Sequence, residues 1–172
     1  MTAFIRRAFT LSTDSALLNK LGYSIYCEHF KHLWVSVLEL NAYLHGEYSH
    51  PKLEHSLQDP GVCWYIVETD HPIGFAKLTW SSTIPGTNIS GVQLNKIYLS
   101  QKETGKNYGK VVFDEIVNIA QQGGKRFLWL EVLKQNARAR KFYENQGMRH
   151  IKDVTFETAS QRSTLHVLGM DI

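Results

Sequence analysis

Between Lys102 and Lys110 the chain reads Lys-Glu-Thr-Gly-Lys-Asn-Tyr-Gly-Lys, with three lysines set around Gly105, Asn107 and Gly109. Gly and Asn tolerate the left-handed backbone that other residues avoid. Successive N–H groups in such a loop can converge on an anion, and a helix that follows adds its positive end. A pyrophosphate suits this arrangement. A Walker loop is excluded, because Gly105 and Gly109-Lys110 enclose three residues instead of four and Val111 has no hydroxyl for magnesium. A dinucleotide fingerprint fits poorly, because Asn107 and Lys110 stand at two of its three glycine positions. On the loop alone, a solvated lysine-rich turn is an equal reading.

A second group of residues lies further on, in Trp129-Leu130-Glu131-Val132-Leu133-Lys134-Gln135-Asn136-Ala137-Arg138-Ala139-Arg140-Lys141-Phe142-Tyr143-Glu144-Asn145-Gln146-Gly147-Met148. Asn136 and Tyr143 are seven residues apart, which at ~100° per residue puts both on one face of a helix. A core aromatic beside Phe142 is the competing reading of Tyr143.

The two segments together resemble the cofactor motifs of the GNAT N-acetyltransferase superfamily. Thr104 to Gly109 is similar to its acetyl-CoA loop in length and closing glycine. It departs at Thr104, where the family prefers Gln or Arg, and at Asn107, where it prefers Gly. The segment 129–148 resembles the second motif: a strand, an Asn opening a helix, small residues, Phe-Tyr, and a Gly before the next strand. Chain-wide, the sequence looks similar to PaiA-type polyamine acetyltransferases.

The resemblance implies one acetyltransferase domain over residues 1–172 and an α/β (α+β) fold, with a central mixed, mostly antiparallel sheet of six to seven strands and helices on both faces. It implies acetyl-CoA as cosubstrate, without a metal, and a primary amine as acceptor, a small polyamine-like or amino compound. Ile97, Tyr98 and Leu99 would pair with pantetheine through their backbones. Thr104, Gly105, Lys106, Asn107, Tyr108, Gly109 and Lys110 would hold the pyrophosphate, with Asn136 and Ala139 contacting the arm. Tyr143 would protonate the departing thiolate as the C–S bond breaks. A protein lysine or N-terminal acetyltransferase, and a CoA-binding regulatory module without activity, are the alternatives.

On the amine side, Glu28, Phe30 and Trp34 are candidate acceptor contacts, with Glu47 and Trp80 beside them; rings and carboxylates of this kind hold an ammonium and its methylene chain. Each is equally readable as a solvated acid or a core aromatic. Gln93 and Asn95 stand on the strand where a carboxylate base is expected, leaving Glu131, Glu28 or a water for that role. His29, His32, His45, His50 and His55 invite a metal, with His29 and His32 on adjacent helix positions, but a metal site needs converging ligands and most such histidines are surface residues, so no metal is expected.

Positioning these groups requires an ordered series of elements. A strand near 3–9 is followed by a helix that Ser12, Thr13 and Asp14 could cap, with Leu17, Leu18, Leu21, Ile25 and Phe30 as its apolar stripe. A helix near 35–45 comes next, then a short one opened by Pro51 that ends before Asp59-Pro60-Gly61. Strands follow at 62–68, 73–80 and 92–99, then a helix at 107–122 stopped by Gly123-Gly124, a strand at 126–132, a helix at 136–146 stopped by Gly147, and an antiparallel pair at 149–157 and 163–171.

Composition agrees with an ordinary globular chain: 172 residues, 43% hydrophobic, 20% charged. The net charge of +3 is too mild to argue for nucleic acid. Cys27 and Cys63 cannot form a disulfide framework. No export signal or membrane span is read, and a cytoplasmic enzyme is expected, with a homodimer compatible.

Overall fold

A computed structural model describes residues 1–9 and 12–172; the capping expected of the Ser12 side chain lies outside the described residues. The elements are β1 (Phe4–Arg7), α1 (Ser12–Phe30), α2 (Val37–Tyr48), α3 (His50–Gln58), β2 (Val62–Glu68), β3 (Pro72–Thr83), β4 (Ser90–Leu99), α4 (Tyr108–Gln122), β5 (Phe127–Leu133), α5 (Ala137–Asn145), β6 (Arg149–Glu157) and β7 (Arg162–Asp171). The strands form one mixed, mostly antiparallel seven-stranded sheet with flanking helices, in the order β1-β2-β3-β4-β5-β7-β6. β4 pairs with β5 in parallel, with Val92 opposite Leu128 and Gln93 opposite Trp129. No helix among the described residues is long and apolar enough to cross a membrane.

The chain divides into two compact units, residues 1–78 with 96–116, and residues 79–95 with 117–172. In the first, Leu18, Gly22, Ile25 and Tyr26 give α1 a buried stripe at helical spacing. They join Leu40, Leu44 and Tyr48 of α2, Leu53 of α3, and Trp64, Ile66 and Phe75 of β2 and β3 in one core. Gly22 matters because a Cβ there would overlap the Tyr48 ring. The start of α1 is tied to the sheet by Asp14, whose carboxylate accepts from the Phe9 N–H at 3.0 Å and pairs with Arg6 at 3.0 Å. Ser36 caps α2, its hydroxyl accepting the Glu39 N–H at 3.3 Å.

In the second unit β5 pairs along its whole length with β7, and β7 with β6. Trp129, Ile84 and Val167 form the core there, flanked by Phe127, Ile151 and Val154. Both glycine stops are built as read from the sequence. Gly124 (φ 76°) ends α4, and Gly147 (φ 97°) ends α5, where the Met148 N–H returns to the Tyr143 carbonyl at 3.2 Å.

Candidate active site

The loop from Ser100 to Asn107 starts with a 3₁₀ turn at Gln101–Glu103 and reaches α4 through two left-handed residues, Gly105 (φ 82°) and Asn107 (φ 65°). Asn107 is the only non-glycine residue with positive φ among the described residues, so the asparagine does the work expected of a glycine. The Asn107 carbonyl accepts the Val111 N–H at 3.3 Å and thereby opens the helix. Among the described residues, the six backbone N–H groups from Gly105 to Lys110 have no protein acceptor. Unpaired donors at a helix N-terminus are the groups that an anion can occupy. Of the lysines around it, Lys106 is paired with Glu103 at 2.9 Å and Lys110 with Asp114 at 2.6 Å.

The last turn of α1 holds this loop in place. The Glu28 carboxylate accepts from the Gln101 N–H at 2.8 Å and the Ser100 hydroxyl at 3.3 Å, and the Gln101 side chain donates to the Glu28 carbonyl at 2.7 Å. His29 Nε2 lies 2.7 Å from the Leu99 carbonyl, which accepts an N–H from it. Glu28, read from sequence as an acceptor or base candidate, is thus engaged with the loop at Ser100 and Gln101. Behind Tyr98 and Leu99, a Cβ at Gly74 of β3 would collide with the Tyr98 carbonyl oxygen, so β3 and the end of β4 meet backbone to backbone.

Phe30 and Trp34 belong to an aromatic cluster. Tyr26 stacks 4.9 Å from both Phe30 and Tyr43, Phe30 lies 5.5 Å from Tyr98, and Trp34 lies 5.4 Å from Tyr43. The Trp34 indole donates to the Tyr26 hydroxyl at 3.1 Å. Tyr26 and Tyr43 were not singled out from sequence; the four-residue steps 26, 30, 34 carried the signal for Tyr26. Beside the cluster, Glu47 pairs at 2.7 Å with Lys96, a lysine only 6% exposed that also sits over the Tyr48 ring at 5.3 Å. Desolvation alone would raise the Glu47 carboxyl, but the Lys96 charge and hydrogen bond, with Lys77 further off, outweigh it and hold it below the ordinary value.

The remaining predicted residues lie in the second unit. Gln93 accepts from Ser82 at 2.9 Å and Asn95 from Thr79 at 2.8 Å, so the amides on β4 are bonded to β3 hydroxyls. Glu131 on β5 is exposed, and the one influence on its carboxyl is partial desolvation, which raises it. The Trp80 ring lies against Gly123, close enough that a Cβ there would displace it. Asn136 caps α5: its Oδ1 accepts the Ala139 N–H at 3.2 Å, which leaves the NH₂ half of the side chain as donor. Tyr143 packs edge-on against Phe142 at 5.2 Å, and burial pushes its phenol far above the ordinary range. None of the five histidines that suggested a metal belongs to a metal-capable cluster among the described residues.

The sequence matches the acetyltransferase (GNAT) family over residues 26–148. The fold is shared with PaiA N-acetyltransferase from Thermoplasma acidophilum, solved with coenzyme A, at 19% identity and a TM-score of 0.77 over the whole of both chains. It is also similar to the ribosomal-protein-S18-alanine N-acetyltransferase of Escherichia coli, at 16% identity and 0.68 over 99% of this chain and 94% of that one. Arabidopsis thaliana NAA60, solved with a bisubstrate analogue, gives 13% identity and 0.71 over 99% of both chains. The chain belongs to the GNAT family, an acetyl-CoA-dependent N-acetyltransferase by class. Transfer of acetyl from this cosubstrate to an amine needs no metal.

Proposed function

We propose that the protein acetylates a small primary amine, working as one domain over residues 1–172. The family match supports the single domain, since residues 26–148 include parts of both compact units. The observation that carries the cofactor assignment is the run of six unpaired N–H groups from Gly105 to Lys110, through the first turn of α4. These amides hold the pyrophosphate of acetyl-CoA, with Thr104 at the loop entrance. The backbones of Ile97, Tyr98 and Leu99 receive the pantetheine, whose amide also takes a hydrogen bond from the NH₂ group of Asn136 where α5 begins at Ala137 to Ala139.

In the chemistry, the free amine attacks the acetyl carbonyl and the tetrahedral intermediate collapses. Tyr143 gives its proton to the sulfur as the C–S bond breaks, and the proton lost by the attacking nitrogen passes through water to restore the phenol. Acceptor recognition falls to the rings of Tyr26, Phe30, Trp34, Tyr43 and Tyr98, which offer a face to a cation and its alkyl chain. Glu47 adds little free charge, because Lys96 already neutralises it.

A peptide acceptor is favoured by one observation: Val35, Val37 and Leu38, next to Trp34, are 72%, 64% and 81% exposed, and apolar side chains presented this way suit a peptide backbone with hydrophobic residues. Turnover with acetyl-CoA across mono-, di- and polyamines, amino compounds and short peptides tests both readings. Selective turnover of small amines supports the first, and turnover confined to peptides overturns it in favour of the second. Gly109→Asp places a carboxylate at the phosphate position and is expected to abolish measurable CoA binding in calorimetry. Unchanged binding in that variant would sink the loop assignment.

A further inference from the structure

Three side chains on β6 and β7, outside the acetyl-transfer machinery, converge on one point. Asp153 stands opposite His166 across the β6–β7 ladder, and His150 opposite Leu168. In a regular strand, positions 150 and 153 would face opposite sides. The register shifts between His150 and Lys152, leaving Ile151 as the extra residue of a bulge, and that insertion turns His150 to the face of Asp153 and His166. His150 Nε2 and His166 Nδ1 each lie 2.7 Å from the same oxygen, Asp153 Oδ1. The ionised carboxylate is an acceptor only, so both imidazoles donate to it. First the His150 hydrogen bond and then that of His166 hold the Asp153 carboxyl below its ordinary value. The two rings meet edge-on at 4.9 Å, and with Arg140, Glu144 and Leu168 they line an open cleft of about 220 Å³.

We infer that His150, Asp153 and His166 form a binding site for a divalent transition metal such as Zn²⁺. Two nitrogens and a carboxylate oxygen, all within 4.8 Å of one another, are the donor set of such ions. Ligand atoms around a tetrahedral zinc stand about 3.3 Å apart, so the present 2.7 Å separations need to open by only ~0.6 Å. The remaining positions face the open cleft.

Arg140, the cationic side chain of the cleft lining, opposes a metal, and its contact reveals how the site would connect to α5. Arginine only donates, so its Nη1, 3.3 Å from His166 Nε2, fixes Nε2 as acceptor and puts the ring proton on Nδ1. A metal on Nδ1 sends that proton to Nε2, which then faces Arg140 as a second donor. Arg140 must leave, and Glu144, already 3.7 Å from its Nε, is the partner at hand. The metal would fasten β6 to β7 and change the side-chain pairing on α5, the helix that also carries Tyr143.

The test is a calorimetric titration of the chelator-treated full-length chain with Zn²⁺, repeated with Co²⁺ by visible absorption, in the absence of acetyl-CoA. One saturable equivalent per chain is expected. Asp153→Asn and His150→Gln, both at exposed positions that keep the fold, should each weaken it more than ~10-fold, while His45→Gln on α2 leaves it unchanged. In imidazole ¹⁵N spectra the His166 proton should move from Nδ1 to Nε2 on loading. Absence of saturable binding, or equal affinity in the Asp153→Asn and His150→Gln variants, overturns the site. None of these readouts depends on acetyl transfer.

Discussion

At the scale of single residues, the phenol of Tyr143 and the Glu47–Lys96 pair carry opposite kinds of burden. Under the proposed mechanism Tyr143 gives its proton only in the transition state, so Tyr143→Phe should leave the KM for acetyl-CoA within a few-fold while kcat falls ~100-fold. Because burial raises the phenol's pKa so far, the loss should be the same at neutral and mildly alkaline pH. Wild-type kcat in a folded Phe variant would return Tyr143 to the core, as a ring packed on Phe142.

Glu47 bears on stability instead. Its carboxyl lies lower in the folded chain than the ordinary 4.5, so its contribution is complete above that value and is lost as pH falls through the depressed folded value. Glu47→Gln leaves Lys96, 6% exposed, without its partner. The expected cost is about 2–3 kcal/mol, the low end for a broken buried pair because Glu47 itself is 34% exposed. Denaturant melts at neutral pH measure it, and Lys96→Met in the same chain should recover most of the loss. A loss that persists undiminished in the double variant would show that the charge pairing is not its cause.

At the scale of elements, Gly22 on α1 sets two effects against each other. Alanine is a better helix former than glycine by ~1 kcal/mol. Against this, a Cβ at position 22 would overlap the body of the buried Tyr48 ring, not the end of a flexible chain. Overpacking of that kind costs ~1–3 kcal/mol, so Gly22→Ala should lower the melting temperature. A stabilised variant would mean that α1 and α2 can separate freely.

The elements themselves were largely readable, and the reasons differ from one to another. The stops at Gly124 and Gly147 and the strand at 149–157 follow from local chemistry alone. So does the left-handed Asn107, whose side chain tolerates what the family usually reserves for glycine. The extension of β3 to Thr83 escaped notice because Ser82 and Thr83 pair through hydroxyls with Gln93 and Ser90, and hydrophobic patterning is blind to such pairs. The bond between Glu28 and Gln101 spans 73 residues of chain, beyond the reach of any local rule. The bulge at Ile151 is equally silent in sequence, and without it His150 and Asp153 would be assigned to opposite faces of β6. The loop's glycines and the Asn136–Tyr143 spacing were visible because they are contiguous or helical. The aromatic cluster was only half visible, because Tyr26, Tyr43 and Tyr98 come together from three separate elements.

At the scale of the whole molecule, the chain's division at positions 78/79, 95/96 and 116/117 meets the proposal of a single domain. Saturation with coenzyme A at 100 times its Kd should stabilise the chain by ~2.7 kcal/mol. For 172 residues that corresponds to a rise in melting temperature of roughly 5–10 °C. If the chain is one cooperative domain, calorimetry shows one peak and the whole peak moves. Two peaks, of which coenzyme A shifts only one, would refute the single-domain reading and leave the cofactor loop's unit as an independent binding module.

The placement of the tryptophans gives this chain built-in optical probes. Trp64 and Trp129 are each 1% exposed, one in the core of each compact unit. Their indoles donate to different partners, Trp64 to the Ser56 hydroxyl at 2.8 Å and Trp129 to the Ser82 carbonyl at 3.1 Å. Both should emit in the blue while folded and shift red when water enters. With Trp34 and Trp80 replaced by Phe, and either core indole removed in turn, fluorescence would follow the denaturation of each unit separately, with no label attached to the protein.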